Sequence, residues 1–359
     1  MRRLGLLLLL GIAAVGAFCA WLDQELSVPY KHYSGESVIV DIPHGTSRWS
    51  TAGLLAKNGV IRSRVAFEFF SHWHQRRLLQ AGEYLFEGPM TERQVFWKIA
   101  NGRINVVSVK IPEGWNMFDI ADQLERQKLC SRADFLRVAR DPTPILDIAP
   151  HARSLEGFLF PSTYLFGRHT PPDQIAATMV REFRRVWNNL NPDLAIATAT
   201  TPSLEDTVTL ASLVERETPL ESERPLVAGV FYNRLHRNYP LQCDPTVQYA
   251  LALAGRPTQI VRHADLRVDS PYNTYLRPGL PPGPIANPGE ASLRAAIDPA
   301  KTDFMYFVAN DTGGHFFSKT LEEHNRNVAK YRRRLESDAN GDSQKRAFAT
   351  NPREHRSQP

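Results

Sequence analysis

An apolar stretch at the N-terminus constrains this chain more than any other feature of its sequence. Nineteen residues, Leu4–Leu22, carry no charge, and about 20 apolar residues are needed for a helix to cross a bilayer. Arg2 and Arg3 precede the stretch, and Asp23 follows it. By the positive-inside rule, the sequence predicts a transmembrane helix over residues 1–22, with a cytoplasmic N-terminus and an exported body.

A cleaved signal peptide is the alternative to an uncleaved anchor. Residues 17–20 read Ala-Phe-Cys-Ala, which is a poor match to the small-x-small pattern of a cleavage site. Phe18 directly before Cys19 does not fit a lipoprotein signal either. The apolar stretch is also longer than the usual signal core, so the sequence favours an uncleaved anchor.

The composition indicates a globular body of two or three domains. The chain has 359 residues, of which 42% are hydrophobic and 23% charged, close to the average for folded proteins. Its 43 basic and 38 acidic side chains leave a net charge of +5. That excess is too small and too thinly spread for a nucleic-acid-binding surface, so no nucleic-acid partner is predicted.

The cysteines and histidines show no metal-ligand spacing. The chain contains no Cys-x-x-Cys and no His-Glu-x-x-His sequence, so neither a metal nor another cofactor is expected. Cys130 and Cys243 are the two cysteines of the exported part. A disulfide between them is possible in an oxidising compartment, but the sequence favours two unpaired thiols.

An internal repeat follows a short predicted linker over residues 23–36. Val38–Gly45 reads Val-Ile-Val-Asp-Ile-Pro-His-Gly and is echoed, 69 residues later, by Val107–Gly114. Alternating Val and Ile that end at Ile-Pro are typical of an edge strand, and the glycine then turns the chain into a helix. The repeat predicts a small α+β module over residues 37–130. It resembles LysM-type glycan-binding modules, although the offset is too long for tandem LysM repeats.

The pattern changes at about residue 131, where a second domain is predicted over residues 131–336. We interpret it as a mixed α/β domain, which makes the whole chain α+β. Long segments rich in proline and glycine separate its helices, and Ser270–Gly289 alone has six prolines and three glycines. Such a long irregular segment is usually functional or disordered, and its aromatic residues and asparagines favour an ordered loop. The polar end, residues 337–359, is predicted to be disordered. Helices are predicted at about 63–79, 91–101, 131–139, 172–190, 203–217, 221–237 and 320–335.

Two glutamates at the end of one predicted helix are candidates for acid–base chemistry. Apolar residues recur at helical spacing up to Val214, which places Glu215 and Glu217 on opposite flanks of the buried face. A carboxyl at the edge of a buried face is partly desolvated, and desolvation raises its pKa toward the value that a general acid requires. The alternative is a glutamate in an ordinary ion pair. Periodicity does not choose between the two residues.

Several further motifs follow in a fixed order along the chain. They are Val227–Leu235, Leu241–Tyr249, Tyr272–Tyr275, Gly279–Gly289, Gly313–Phe317 and Glu323–Asn325. Together with Leu155–Tyr164 and the Glu-x-Glu-Thr segment, this set resembles the MltG/YceG-like endolytic murein transglycosylases over about residues 36–335.

The resemblance implies an enzyme that cuts the β-1,4 bond between N-acetylmuramic acid (MurNAc) and N-acetylglucosamine (GlcNAc) inside peptidoglycan strands, without water. One glutamate protonates the glycosidic oxygen and then deprotonates the muramic C6 hydroxyl, which attacks C1 and leaves a 1,6-anhydro end. In the family's Glu-x-Glu-Thr segment the second glutamate matches the catalytic position. Glu217, followed by Thr218, is therefore the expected catalytic residue, and Glu215 is expected to be a supporting or ion-paired one.

The motifs also suggest residues that bind the sugar. Side-chain amides suit acetamido and hydroxyl groups, tyrosine rings suit sugar faces, and other polar residues of the motifs are supporting candidates. The amides are Gln242, Asn273 and Asn287; the tyrosines are Tyr249, Tyr272 and Tyr275; the supporting residues are Asp244, Thr246 and His315. The alternatives are bonds that stabilise loops, core packing and, for Asp244, an N-cap before Pro245. Cys243 stands where the family usually has a small hydroxyl residue, so the contribution of that position stays open.

The resemblance further implies a single-pass protein of the inner membrane whose second domain lies in the periplasm. Its expected partners are peptidoglycan glycan strands and, from the family alone, penicillin-binding glycan polymerases. Two other functions remain open from the sequence. One is a muramidase-type hydrolase that uses Asp244 as its second carboxylate; the other is a non-catalytic, wall-binding scaffold.

Overall fold

The computed structural model describes residues 2–190, 203–310 and 313–334. The predicted disordered tail over residues 337–359 lies outside these ranges. The chain divides into two compact units. Unit 1 comprises the residues up to 109 with 125–129 and 164–171, and unit 2 comprises 110–124, 130–163 and the residues from 172 onward.

Unit 1 contains a strand–helix–helix–strand motif that follows one long helix. Val40, Leu55, Phe67, Tyr84 and Phe96 are buried in a single hydrophobic cluster. The two strands of the motif pair antiparallel, from Ser37 opposite Glu87 to Ile42 opposite Gly82. The elements are α1 (Arg2–Ser27), β1 (Ser37–Ile42), α2 (Arg48–Lys57), α3 (Arg64–Trp73), β2 (Gly82–Glu87) and α4 (Glu92–Ala100).

Hydroxyl side chains set the beginnings of the short helices of unit 1. Ser47 and Ser63 cap α2 and α3, and Thr91 forms a capping box with Gln94 at the start of α4. Each cap satisfies a backbone N–H that would otherwise lack a partner in the first turn. The helix positions predicted from the sequence therefore agree with the structure to within a few residues, except that α3 ends at Trp73 rather than near residue 79.

The N-terminal apolar helix is confirmed, and it extends further than predicted. Among the described residues, the segment Leu9–Ser27 of α1 is long and apolar enough to cross a membrane, with a mean hydropathy of 1.3. The helix continues to Ser27 instead of ending at residue 22, and Leu26 is buried. Tyr30 then exchanges backbone hydrogen bonds with Met90, at 2.9 and 3.2 Å. The predicted linker over residues 23–36 is thus partly an element of unit 1, because its apolar residues have partners there.

Both copies of the internal repeat form a strand, a turn and a helix. The second copy consists of β3 (Val106–Lys110) and α5 (Met117–Arg126), and α5 follows α2 at the same offset of 69 residues. After α6 (Arg132–Ala139), the strand β4 (Thr163–Gly167) pairs with β3, so the two copies belong to separate two-stranded sheets.

The boundary between the units differs from the predicted one at residue 130, because residues 110–124 belong to unit 2. The Gly114 N–H donates to the carbonyl of Asn287 at 2.9 Å, and the Asn287 N–H donates to the carbonyl of Trp115 at 2.8 Å. These long-range bonds fix the turn of the second repeat to the proline-rich segment, which no local pattern in the sequence reveals.

Unit 2 is mainly helical over the residues described. Helices α8, α9 and α11 contact one another, and α8 is buried continuously from Thr207 to Val214. A short 3₁₀ turn, Glu221–Glu223, precedes α9, so the helix predicted over 221–237 begins later than expected. The elements are α7 (Pro172–Leu190), α8 (Leu204–Glu217), α9 (Arg224–His236), α10 (Asp244–Leu253), α11 (Glu290–Ile297), β5 (Tyr306–Ala309), β6 (His315–Ser318) and α12 (321–334). The prediction of mixed helix and sheet is confirmed.

Candidate active site

The C-terminal end of α8 brings the two candidate glutamates to the edge of the core of unit 2. Ser203 caps the start of the helix, and the middle of the helix is buried. The helix ends at Glu217, because Thr218 has an extended backbone conformation with φ −136° and ψ 130°. Glu215 and Glu217 therefore stand in the last turn, where the chain leaves the core, and they face different neighbours.

Glu215 is held by structural partners. Its side chain is 5% exposed and forms an ion pair at 3.0 Å with Arg224, which is 8% exposed. Its second oxygen accepts the N–H of Gly289 at 3.0 Å. Arg224 also lies 3.5 Å from Glu113, and burial together with the charge of Glu215 raises the pKa of the Glu113 carboxyl. Glu215 thus joins α8 to α9 and to the end of the proline-rich loop.

Glu217 has a different environment that favours its protonated form. Burial is the largest effect and raises the pKa of its carboxyl, and the negative charge of Asp244 raises it further. A hydrogen bond with the Cys243 thiol and the charges of His315 and Arg234 act in the opposite direction. The side chain remains partly exposed. A carboxyl that is desolvated and yet reachable suits a general acid working near neutral pH.

Cys243 lies next to Glu217 and is itself fixed in place. It is 1% exposed, its N–H donates to Thr274 Oγ1 at 3.1 Å, and its carbonyl accepts from Thr246 Oγ1 at 2.7 Å. Burial raises the pKa of the thiol well above its usual value, so the thiol keeps its proton and can donate it to the Glu217 carboxyl. No disulfide joins the cysteines of the described residues.

Asp244 and Tyr275 form a second polar pair beside Glu217. The Tyr275 hydroxyl donates to Asp244 Oδ1 at 2.5 Å, and burial followed by this bond raises the pKa of Tyr275. Asp244 is exposed and is the first residue of α10. Cys243 occupies the N-cap position. The alternative role of Asp244 as an N-cap is therefore wrong by one residue.

Glu223 links His315 to Thr218, the residue that follows Glu217. The Glu223 carboxyl lies 2.7 Å from His315 Nδ1 and accepts the His315 N–H at 2.8 Å. Thr218 Oγ1 donates to the same carboxyl at 3.2 Å. Burial raises the pKa of Glu223, but the bonds from His315 outweigh it and leave that pKa below its ordinary value. The start of β6 is thereby fixed to the end of α8.

Arg234 supplies a buried positive charge near Glu217. Its Nε donates to the Met305 carbonyl at 2.7 Å, and its Nη1 donates to the Leu241 carbonyl at 2.7 Å. Burial lowers the pKa of its guanidinium. The residue lies in the motif Val227–Leu235, to which sequence reasoning gave no specific role. Only the folded chain shows that its charge acts on Glu217.

Three of the predicted site residues form hydrogen bonds within the chain. Thr246 is buried and bonds to Cys243 and Thr274. Asn273 donates to the carbonyls of Leu266 and Val268 at 3.0 and 2.8 Å, which orders the proline-rich segment. The side chain of Asn287 accepts from Leu159 and donates to Trp115 and Glu156. Their buried polar groups have partners within the chain, as burial requires, and a contact of these residues with the sugar stays a prediction.

Tyr249 and Tyr272 lie beside another carboxyl, Glu156, that sequence reasoning missed. The two rings are 5.0 Å apart, and the Tyr249 hydroxyl bonds to Glu156. Glu156 also accepts the Met117 N–H at 3.0 Å. Burial raises the pKa of Glu156 to about 8. The sequence feature that indicates Glu156 is a single acid inside the apolar run Leu155–Phe160. Such a pattern predicts a buried carboxyl with internal partners.

A cavity of about 460 Å³ lies along α10. Its lining includes Arg216, Gln248 and the rings of Phe118 and Tyr249, and Arg216 donates to Gln248 Oε1 at 3.2 Å. Gln242 lies before α10 with an exposed side chain and a positive φ of 52°. Of the predicted site residues, the fold brings Asp244, Tyr275 and His315 to Glu217, whereas Tyr249, Tyr272 and Asn287 cluster around Glu156.

Comparisons with known proteins agree with the motifs. The model of the YceG-like family matches residues 40–330. An endolytic murein transglycosylase of Bacillus subtilis is 34% identical over 332 residues, which cover 88% of this chain and 90% of that protein. An endolytic murein transglycosylase of Streptococcus pneumoniae serotype 2 is 30% identical and is matched over 90% of this chain. The chain spans 64% of the length of that streptococcal protein.

A comparison with a solved structure agrees with these sequence comparisons. The crystal structure of a yceG-like protein from Listeria monocytogenes superposes with a TM-score of 0.53 at 35% sequence identity. The match covers 82% of this chain and 99% of the Listeria chain.

Proposed function

Since the chain belongs to the YceG-like family and has endolytic murein transglycosylase activity, we propose that Glu217 is the single acid and base of its reaction. The reaction cuts the β-1,4 bond between MurNAc and GlcNAc inside a glycan strand. The observation that carries the proposal is the desolvated yet reachable carboxyl of Glu217 at the end of α8.

The first step is protonation of the leaving oxygen. Glu217 gives its proton to the glycosidic oxygen while the bond from that oxygen to C1 of MurNAc breaks. Burial and the neighbouring Asp244 favour the protonated form of Glu217, because both raise its pKa. General acid catalysis of this kind contributes about 10²–10⁴-fold to a rate.

The second step closes the sugar on itself. The Glu217 carboxylate takes the proton of the C6 hydroxyl of MurNAc, and the oxygen of that hydroxyl attacks C1 to form the 1,6-anhydro ring. The proton returns to Glu217, so no water is consumed and the carboxyl is ready for the next cycle. The Cys243 thiol, His315 and Arg234 stabilise the carboxylate between the two steps, since each favours its charged form.

The surrounding residues are suited to holding the sugar. Asp244 and Tyr275 present a rigid polar pair next to the carboxyl. The cavity along α10 is lined by Arg216 and Pro245, the chain neighbours of Glu217 and Asp244, and it combines polar side chains with aromatic rings. Concave surfaces of that kind are typical of ligand sites. We assign Gln242, Asp244, Tyr275 and His315 to the substrate side of the site.

Asp244 is also the observation that favours the second candidate reaction, hydrolysis by a muramidase-type mechanism. Its negative charge acts on Glu217, and ordinary glycosidases use two carboxyls. Against hydrolysis, a proton-donating tyrosine already occupies one oxygen of Asp244. The family membership also favours the transglycosylase.

The remaining proposals concern location and partners. We propose that α1 anchors the chain in the inner membrane with its N-terminus in the cytoplasm, so that the site acts in the periplasm on nascent strands and ends their elongation. The strand–helix–helix–strand motif of unit 1 supports a LysM-like, glycan-binding role. Penicillin-binding glycan polymerases are the proposed partners, because a strand under synthesis is held by its polymerase.

The test is digestion of purified peptidoglycan by the wild type and by Glu217→Gln, with mass spectrometry of the product ends. We expect 1,6-anhydro ends from the wild type and no new ends from Glu217→Gln. Glu322→Gln is the matched control, because Glu322 is 82% exposed in a surface pair with Arg326. Reducing ends in place of anhydro ends would establish the hydrolase instead.

A cellular arm tests the role in strand termination. In cells that lack redundant enzymes, Glu217→Gln should lengthen the glycan strands and lower the fraction of anhydro ends, because cuts within new strands are lost. Chromatography of the released strands measures both quantities. Equal strand lengths in wild-type and Glu217→Gln cells would contradict the termination role while leaving the chemistry intact.

A further inference from the structure

The helix α3 exposes apolar residues on the side that a soluble helix would keep polar. Val65, Phe69 and Trp73 are 56%, 42% and 77% exposed, and their spacing of four residues places them on one face. The opposite side of the helix, with Phe67, is buried in the core of unit 1. The helix is thus apolar on both sides, and much of its outer side is exposed in the described part of the chain.

This exposed face is continuous with the apolar helix α1. The rings of Phe69 and Phe18 pack edge to face, with their centroids 5.5 Å apart, and Phe18 packs against Trp21 at 5.6 Å. Phe18 lies five residues before Asp23, the first acid after the apolar stretch. At 1.5 Å per helical residue, this places Phe18 about 7 Å inside the end of the span. When α1 crosses a bilayer, Phe69 therefore lies at the depth of its outer boundary.

The position of α3 relative to α1 is fixed by polar contacts. The Glu92 carboxyl accepts the N–H groups of Arg62 and Ser63 at 3.1 and 2.7 Å, directly before α3 begins. On the other side, Asp23 at the end of the apolar stretch forms a 2.7 Å ion pair with Arg93 of α4. Both helices therefore contact α4, and the packing of Phe69 on Phe18 joins α3 to α1 directly.

Basic side chains surround the exposed face. Arg62, Arg76 and Arg77 are exposed next to α3, and the guanidinium of Arg64 stacks 3.6 Å above the ring of Trp49. Between residues 62 and 78 the chain carries four arginines and a single acid, Glu68. Cations beside an apolar helical face are attracted to anionic lipid headgroups, and tryptophan prefers the membrane interface.

We infer that α3 lies in the outer headgroup region of the same bilayer that α1 spans, with Val65, Phe69 and Trp73 inserted among anionic phospholipids. The partner is the lipid surface itself, since the face joins α1 without a break. Unit 1 then contacts the membrane through both α1 and α3, instead of through α1 alone. The inference rests on the proposed anchoring through α1 and not on the cutting reaction.

The experiment uses the full chain in vesicles of phosphatidylethanolamine and phosphatidylglycerol, with lipids brominated near the headgroup as quenchers of tryptophan fluorescence. The chain has six tryptophans, and Trp21 in α1 reports the anchor. We expect Trp73→Phe to reduce the quenched share of the emission. Trp187→Phe is the matched control, because Trp187 is buried in α7, and it should leave the quenched share unchanged.

The outcomes separate the inference from its premises. Quenching that persists undiminished in Trp73→Phe would show that α1 is inserted and α3 is not, which overturns the inference and leaves the face to a protein partner. Absence of quenching in all three proteins would overturn the anchoring and the inference together. Cutting of solubilised glycan strands by the same preparations reports the activity independently. Trp73 is exposed, so its replacement leaves the core of unit 1 intact.

Discussion

Replacing Glu215 or Glu217 of α8 by Gln should have opposite effects: the first change should lower stability, and the second should abolish activity. Glu215→Gln removes the charge that faces Arg224, and both side chains are less than one-tenth exposed. Removing one partner of a buried ion pair costs about 3–5 kcal/mol, because the other charge stays buried without compensation. Glu113 lies 3.5 Å from Arg224 and is 51% exposed, so it compensates in part. We therefore expect a loss of about 3 kcal/mol in the free energy of unfolding.

That loss is large enough to measure by thermal unfolding. For a domain of about 150–250 residues, 1 kcal/mol corresponds to about 2–4 °C, so Glu215→Gln should lower the melting temperature of unit 2 by about 6–12 °C. Glu217→Gln breaks no ion pair and replaces a desolvated carboxyl by a neutral amide. Its melting temperature should stay at the wild-type value or rise.

Glu217→Gln should lose more activity than Glu215→Gln, although it loses less stability. At a temperature where both variants are folded, Glu217→Gln should lose all measurable cutting, since an amide cannot transfer the proton. Glu215→Gln should keep activity within about tenfold of the wild type, because it lacks a proton-transfer role worth about 10²–10⁴-fold. The assays are differential scanning calorimetry and release of anhydro ends. An inactive Glu215→Gln with a wild-type melting temperature, beside an active Glu217→Gln, would refute the assignment.

The remaining predictions concern three other parts of the chain. The folded-state pKa of Glu156, about 8, lies above its ordinary 4.5, so the folded state keeps a proton that the unfolded state releases. The stability from this group is present below pH 4.5 and falls by about 1.4 kcal/mol per pH unit up to pH 8. Urea unfolding at several pH values should show this slope in the wild type and its absence in Glu156→Gln. Cys243→Ala removes a hydrogen bond that lowers the pKa of Glu217 and should move the pH profile of kcat/KM upward, whereas Cys243→Ser should restore it; identical profiles would contradict the bond. Removing residues 1–22 should leave a folded, active protein, whereas removing all of α1 also deletes the buried Leu26, worth about 1.5–3 kcal/mol, and should lower the unfolding midpoint of unit 1.

Some features of this protein follow from local sequence patterns. The apolar helix at the N-terminus, the repeat with its offset of 69 residues and the bounds of α7 and α8 were predicted correctly, because helical periodicity, caps and Ile-Pro ends act over a few neighbouring residues. Periodicity also placed Glu215 and Glu217 on different flanks of α8. It could not choose between them, since both are equally close to the buried face.

Tertiary structure decided which groups surround each carboxyl. The partners of Glu215 are Arg224 and the N–H of Gly289, while a thiol and an aspartate from the start of α10 approach Glu217. Asn287 looked like a ligand-binding amide in the sequence, yet it donates to Glu156 across 131 residues of chain. Burial of a polar group depends on what the rest of the chain packs against it. A carboxyl, amide or thiol acquires its hydrogen bonds and its pKa only when distant segments exclude water around it.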